Sequence, residues 1–274
     1  MKVKTHDFVK IARSLNMEGW LYSFIYRGFR QISKKYGVRI TTNNYGYYPT
    51  KIDAFDKYQL QLYDEYVNLL DNENIEQVLE IGCGAGGGLM HMQSRLPQAN
   101  FTGMDRCKEA VKTCKYFLGE QQNHIKLYNN IKDIYADSKK FDAIMSVETG
   151  IYKKPEVFGH IHMLLEDSGI FIYYDNANFG KLDRVVESIE SQGFKIEILR
   201  DITENVFKAC EHDTPRRLEI VKKYLPKFLR PFNGEILRYM CVKDTSRYNN
   251  YNMGKKRAFM LKARKLSNHL NKNP

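Results

Sequence analysis

The chain has 274 residues, with 43 Lys and Arg against 32 Asp and Glu, a formal net charge of +11 and five cysteines. That length holds one large domain, or one domain with a substantial cap, around a core that needs no crosslinks. An odd set of cysteines without CxxC spacing is no disulfide framework and suits a reducing, cytoplasmic compartment. No run reaches the roughly 20 apolar residues that span a bilayer, and the first stretch, MKVKTHDFVKIARSLNM, lacks the apolar core of a secretory signal.

In chain order, Phe8, Ile11, Leu15, Leu21, Ile25 and Phe29 recur near helical spacing, which predicts one or two helices over 8–36. TTNNYGYYPT (41–50) is a loop by its Asn, Gly and Pro content. Phe55, Tyr58, Leu62, Tyr66 and Leu69 form a helical stripe over 54–70. From Gln77 the texture alternates between strand and helix. QVLEIG is a short buried strand, the helix after the glycines stops before Pro97, and NFTGMD is a second strand ending in Asp105. Strands follow at IKLYNN, FDAIMSVE, IFIYYD and KIEILRDIT, with helices at CKEAVKTCKYFLGE and KLDRVVESIESQGF and helix then turn at FGHIHMLLEDSG between them. This rhythm specifies an α/β fold with a mostly parallel sheet covered on both faces. ENVFKACEHDTPRRLEIVKKYLPKFL adds helices, and LRYMCVK is the candidate seventh strand. The segment from Lys255 reads as a basic tail, helical in part.

The five glycines of VLEIGCGAGGGLMHM stand where the first strand ends, and in an open α/β sheet that is where ligands bind. Gly82, Gly84 and Gly86 give a tight turn that fits a dinucleotide or another adenosine-bearing ligand. Glu80 sits just before them. A carboxylate there suits a ligand with a positive amino or sulfonium group better than a pyrophosphate. Asp105, at the end of the second strand, is spaced to accept hydrogen bonds from ribose hydroxyls.

VLEIGCGAGG together with FTGMD resembles the glycine loop and acidic strand of the class I S-adenosylmethionine-dependent methyltransferases. The likeness covers roughly residues 55–200. NNYGYYPT and GFKIEILRDITENVF resemble segments of the branch that methylates sterols, lipids, polyketides and other secondary metabolites. The resemblance implies a Rossmann-like, mostly parallel seven-stranded sheet with N-terminal helices and a helical substrate cap. Its parts would be a helical lid over 1–54, a donor-binding core over 55–203, a cap over 204–235, and a final core strand with a basic tail over 236–274. It implies S-adenosyl-L-methionine as cofactor. Glu80, Gly82, Cys83 and Gly84 would line its methionine part, with Gly86 also in the cofactor site, Asp105 would hold its ribose, and Arg106, Asn130 and Ile131 would lie at its adenine. Tyr45 and Tyr47, with Tyr48, would approach from above.

Methyl transfer from a sulfonium is a displacement, so alignment and exclusion of water come first, and a base matters for hydroxyl acceptors. Glu148, at the end of the fourth strand, is the candidate base by topology. His212 is a second candidate, with Glu211 and Asp213 beside it. Tyr152 stands near where related enzymes carry a histidine, and it could bond to or stack on a planar acceptor. His91, His160 and His162 read as structural. No metal motif is present. The expected acceptor is a small organic molecule. The expected partners exclude nucleic acid, since no nucleic-acid module supports the basic charge, and leave a homodimer open. The rival classes are a nucleic-acid methyltransferase, an NAD-dependent oxidoreductase and a donor-binding module without turnover.

Overall fold

The computed structural model describes residues 18–70, 73–119, 125–225 and 227–266. The helical-stripe residues Phe8, Ile11 and Leu15 and the last part of the basic tail lie outside the described residues. Two helices precede the sheet: α1 (Glu18–Tyr36) and α2 (Lys57–Leu69). Then come β1 (Gln77–Ile81), α3 (Gly87–Arg95), β2 (Asn100–Met104), α4 (Lys108–Leu118) and β3 (Ile125–Tyr128). A short α5 (Ile131–Ala136) leads to β4 (Phe141–Val147), α6 (Glu156–Leu164), β5 (Leu165–Asn178), α7 (Leu182–Glu190) and β6 (Phe194–Asp201). Helical material then runs through α8 (Thr203–His212), α9 (Thr214–Tyr224), α10 (Asn233–Tyr239) and α11 (Ser246–Asn252) before β7 (Lys256–Lys265).

The seven strands lie in the order β3-β2-β1-β4-β5-β7-β6. β1 to β5 pair in parallel with one another, and β7 runs antiparallel to β5 and β6. The order reverses between β1 and β4, which opens a crevice at their carboxyl ends. Residues two apart along a strand share a face. Val78 therefore packs with Leu62, Tyr66, Leu89 and Met92, toward α2 and α3, whereas Leu79 and Ile81 pack with Phe158, Ile161 and Ile189, toward α6 and α7. Both faces are covered, which is why β1 and β4 read as continuous apolar runs.

The seventh strand is a correction. LRYMCVK holds the end of α10 and a turn, while β7 is formed by KRAFMLKARK, which the sequence presents as a basic tail. Three of its cations are satisfied in place. Lys262 Nζ lies 2.7 Å from Glu73 Oε1, Arg264 Nη2 lies 2.6 Å from the same carboxylate, and Lys265 Nζ donates to the Leu165 carbonyl at 2.8 Å. A lysine this deep in a sheet is tolerated because its charge has a partner.

Candidate active site

β1 delivers the glycine loop to the crevice. Gly82, Gly84 and Gly86 have φ of 82°, 56° and 85°, in the left-handed region where a side chain is strained. Space is also closed to side chains. A Cβ at Gly82 would lie 2.3 Å from Thr149 Cγ2, and one at Gly86 would lie 2.4 Å from Cys114 Sγ. At Gly84 it would lie 2.8 Å from the hydroxyl of Tyr26, so α1 rests on the loop.

Glu80 is fully buried below these glycines. Its Oε1 accepts from the Tyr63 hydroxyl at 2.9 Å, while Oε2 is buried without a partner among the described residues. Burial pushes its pKa up to about 8, against the lowering effect of the Tyr63 hydrogen bond. Asp105 ties the loop to the second strand. Its Oδ2 accepts from the Gly84 amide at 3.0 Å and its Oδ1 from the Cys107 amide at 2.8 Å. Burial raises its pKa, and the two amides oppose that. Cys83 is buried, and Arg106 beside Asp105 is exposed. Asn130 is an exposed N-cap of α5, its Oδ1 accepting from the Lys132 amide at 3.0 Å. Ile131 packs into the core cluster on the α6 side, together with Tyr152.

Glu148 closes β4 with φ at 50°, left-handed for a residue with a side chain. Its Oε1 gathers three donors: the Tyr174 hydroxyl at 2.6 Å, the Asn176 amide at 3.0 Å and the Tyr45 backbone amide at 3.2 Å. Its Oε2 accepts from none of the described residues. Burial raises its pKa to about 7, the hydrogen bonds from Tyr174 and Asn176 pulling the other way. The network continues outward. The Tyr251 hydroxyl donates to Asn176 Oδ1, and the Tyr45 hydroxyl accepts from Arg247 Nη1 at 2.5 Å. Arg217, buried, donates to the Tyr45 carbonyl at 2.8 Å and pins the loop from below.

The other expected residues separate from this centre. Tyr47 pairs its amide with the Tyr58 carbonyl at 2.8 Å, and its pKa is raised by burial and then by Glu65. Tyr152 donates its hydroxyl to the Asn176 carbonyl at 3.2 Å, one residue removed from Glu148. His212 is exposed and stacks on Tyr48 with ring centroids 4.5 Å apart. The acids expected to orient it are otherwise engaged. Asp213 turns inward to Gln59, Arg216 and Arg217, and Glu211 pairs with Lys243 at 2.5 Å. His91 and His160 are held by Asp64 and Tyr135, as structural histidines would be.

Tyr174, Asn176, Tyr251 and Arg247 escape the sequence-level search. Tyr174 and Asn176 are two apart on one face of β5, a period that was there to read, but the strand outruns IFIYYD by three residues. Tyr251 and Arg247 sit on a seven-residue helix of SRYNNYN, which carries no apolar stripe to announce it.

Residues 78–169 match the model of a methyltransferase domain. The chain is 25% identical over 201 residues to the fatty-acid O-methyltransferase of Mycolicibacterium smegmatis, spanning 68% of this chain and 71% of that protein. It is 26% identical over 184 residues to a Mycobacterium ulcerans protein named as a probable phthiotriol/phenolphthiotriol dimycocerosates methyltransferase, covering 65% and 69%. Its fold matches an apo-form mycolic acid cyclopropane synthase with a TM-score of 0.66 over 89% of this chain and 99% of that one, at 13% identity. It also matches the geranyl diphosphate C-methyltransferase of Streptomyces coelicolor, solved with Mg2+, geranyl diphosphate and S-adenosyl-L-homocysteine, with a TM-score of 0.61 over 81% and 90% at 12% identity. A methyltransferase domain thus matches the core of the chain, methyltransferases align with some two thirds of its length, and the sheet around that core is one that solved methyltransferase-like folds share.

Proposed function

We propose that the chain uses S-adenosyl-L-methionine to methylate an oxygen of a small amphipathic acceptor, with Glu148 at the junction of donor and acceptor. The relatives named for fatty-acid O-methylation and for methylation of phthiotriol/phenolphthiotriol dimycocerosates favour an oxygen on a chain-bearing molecule. The observation that carries the proposal is Glu148. One carboxylate oxygen is fixed by three donors, the other is free of described partners, and the pKa is held near neutrality.

The residues present fit the donor. Glu80 Oε2 is a buried acceptor with no partner among the described residues, which an ammonium would satisfy. The left-handed glycines leave bare backbone beside it, and Asp105 stands at the end of the adjacent strand for the ribose. When bound, that cofactor supplies a methyl group already activated on a sulfonium. The chain's own work is then alignment, exclusion of water and handling of one proton. Glu148 Oε2 takes the proton of a hydroxyl acceptor. A carboxylic acid acceptor arrives already ionised, and Glu148 then orients rather than deprotonates. Tyr45 and Tyr251, edge to face with centroids 6.4 Å apart, form an aromatic wall on the network.

Supplying labelled donor with an extract of small molecules tests this. A product heavier by one methyl group is expected, lost in Glu148→Gln for a hydroxyl acceptor. Transfer into RNA, DNA or protein alone would overturn the acceptor class.

A further inference from the structure

Two cations converge on the Glu148 end of the sheet. Arg247 Nη1 donates to the Tyr45 hydroxyl at 2.5 Å and to the Tyr239 carbonyl at 3.2 Å, with the guanidinium 5.5 Å above the Tyr239 ring. Tyr45 in turn gives its amide to Glu148. Lys256 opens β7, opposite Asn178. The two-residue period puts Lys256 on the face of Ala258 and Met260, which pack in one cluster with Tyr174 and Tyr251. Asn178 shares that face with Asn176 and Tyr174, the two β5 donors to Glu148. Arg247 and Lys256 therefore flank one centre from different elements.

Their neighbours are neutralised and they are not. Arg216 and Arg217 have Asp213, Lys243 has Glu211, and Arg257 has Asp201. Arg247 and Lys256 form an ion pair with none of the described carboxylates. Both are half-buried. The Lys256 ammonium is depressed by burial first and by Arg247 second, so Lys256 feels the charge of Arg247. Glu148 and, more weakly, Asp175 act on Lys256 in the opposite sense, yet neither forms an ion pair with either cation. Half-buried like charges without a counter-ion are costly, and an anion placed between them removes that cost.

We propose that Arg247 and Lys256 form the seat for an anionic headgroup of the acceptor, a carboxylate or a phosphate, held beside Glu148. That this anion belongs to the acceptor rests on the methyltransferase function proposed above; the seat itself does not. A guanidinium offers a planar fork of donors and an ammonium a compact charge, a pair suited to bridging the oxygens of either group. The tyrosines around Arg247 provide an apolar approach for the chain behind the headgroup.

Affinities are measured by calorimetry for dodecanoate, dodecyl phosphate and dodecanol, each with and without S-adenosylhomocysteine, on wild type, Lys256→Gln and Lys256→Arg. Lys256 is the variant of choice, because Arg247 also holds Tyr45 in place. We expect one or both anions to bind wild type about tenfold or more tightly than dodecanol, in line with a charge-assisted hydrogen bond. Lys256→Gln should erase most of that preference while changing dodecanol by less than about twofold, and Lys256→Arg should restore it. The anion that binds identifies the headgroup. No preference for either anion, or a preference untouched by Lys256→Gln, overturns the seat. Failure of S-adenosylhomocysteine to bind would count against the methyltransferase function alone, since the headgroup comparison is also read without it.

Discussion

Three carboxylates in the crevice are each displaced from ordinary behaviour, and each displacement makes a prediction. Glu148 sits near neutrality because burial raises it. If it takes a proton from a hydroxyl acceptor, it must be ionised, so the chemical rate rises with pH through about 7 and levels above it. Glu148→Gln should lower that rate by roughly two to four orders of magnitude and flatten the profile, with donor affinity little changed. A single-turnover pH profile is the check, and an unaltered profile would remove Glu148 from the proton path. Glu80, pushed up to about 8, is mostly protonated at pH 7 before any cation reaches it. Binding the donor's ammonium there should release about one proton at pH 7, read as a buffer-dependent binding enthalpy that vanishes in Glu80→Gln. Asp105→Ala loses the acceptor expected for the ribose and should weaken S-adenosylhomocysteine by about ten to a hundredfold. Because Asp105 also binds the Gly84 and Cys107 amides, Asp105→Asn, which keeps an acceptor, should fall between. A folded Asp105→Ala with wild-type affinity would leave Asp105 as a tie for the loop and nothing more.

At the scale of elements, α1 is the part whose docking can be switched. Arg30 Nη2 reaches Glu109 Oε2 at 2.5 Å, Arg27 lies 3.4 Å from the same oxygen, and Thr113 donates to the Tyr26 carbonyl at 3.1 Å. Arg30 is the main reason the Glu109 carboxyl falls to about 2. Its folded pKa is below the unfolded value, so its contribution to docking is full above roughly pH 4.5 and lost as pH falls toward about 2. Hydrogen exchange of α1 should therefore quicken across that interval, and less so in Arg30→Leu, where the docking is already weakened. Equal acid sensitivity in both proteins would assign the effect elsewhere.

The same scale shows what the sequence discloses. The first strand, the glycine turn and the acid at Asp105 were legible because local geometry demands those residue types together. β5 was legible but too short, since Asn176 and Asn178 are polar residues inside a strand whose end serves the site. β7 was hidden because its lysines and arginines find carboxylates such as Glu73 only in the folded state, a partnership that no local pattern records. His212 has acidic neighbours on both sides in the sequence, yet Asp213 is drawn inward by arginines one turn along the next helix.

For the molecule as a whole, the excess of 43 basic over 32 acidic side chains does not have to mean a polymer partner. Part of it is spent inside the fold on β7 and α9, and two of its cations are those proposed above to seat an anion beside Glu148. Among the described residues no helix is long and apolar enough to cross a membrane. The central claim is methyl transfer to a small acceptor through the Glu148 centre. Its most direct test is labelled donor supplied to wild type and Glu148→Gln, with small-molecule extract, RNA, DNA and protein as parallel acceptors. We predict label in the small-molecule fraction for wild type and none above background in the polymers, with Glu148→Gln strongly reduced for a hydroxyl product. Label confined to a polymer, or no transfer to any fraction by a protein that binds the donor, would contradict it.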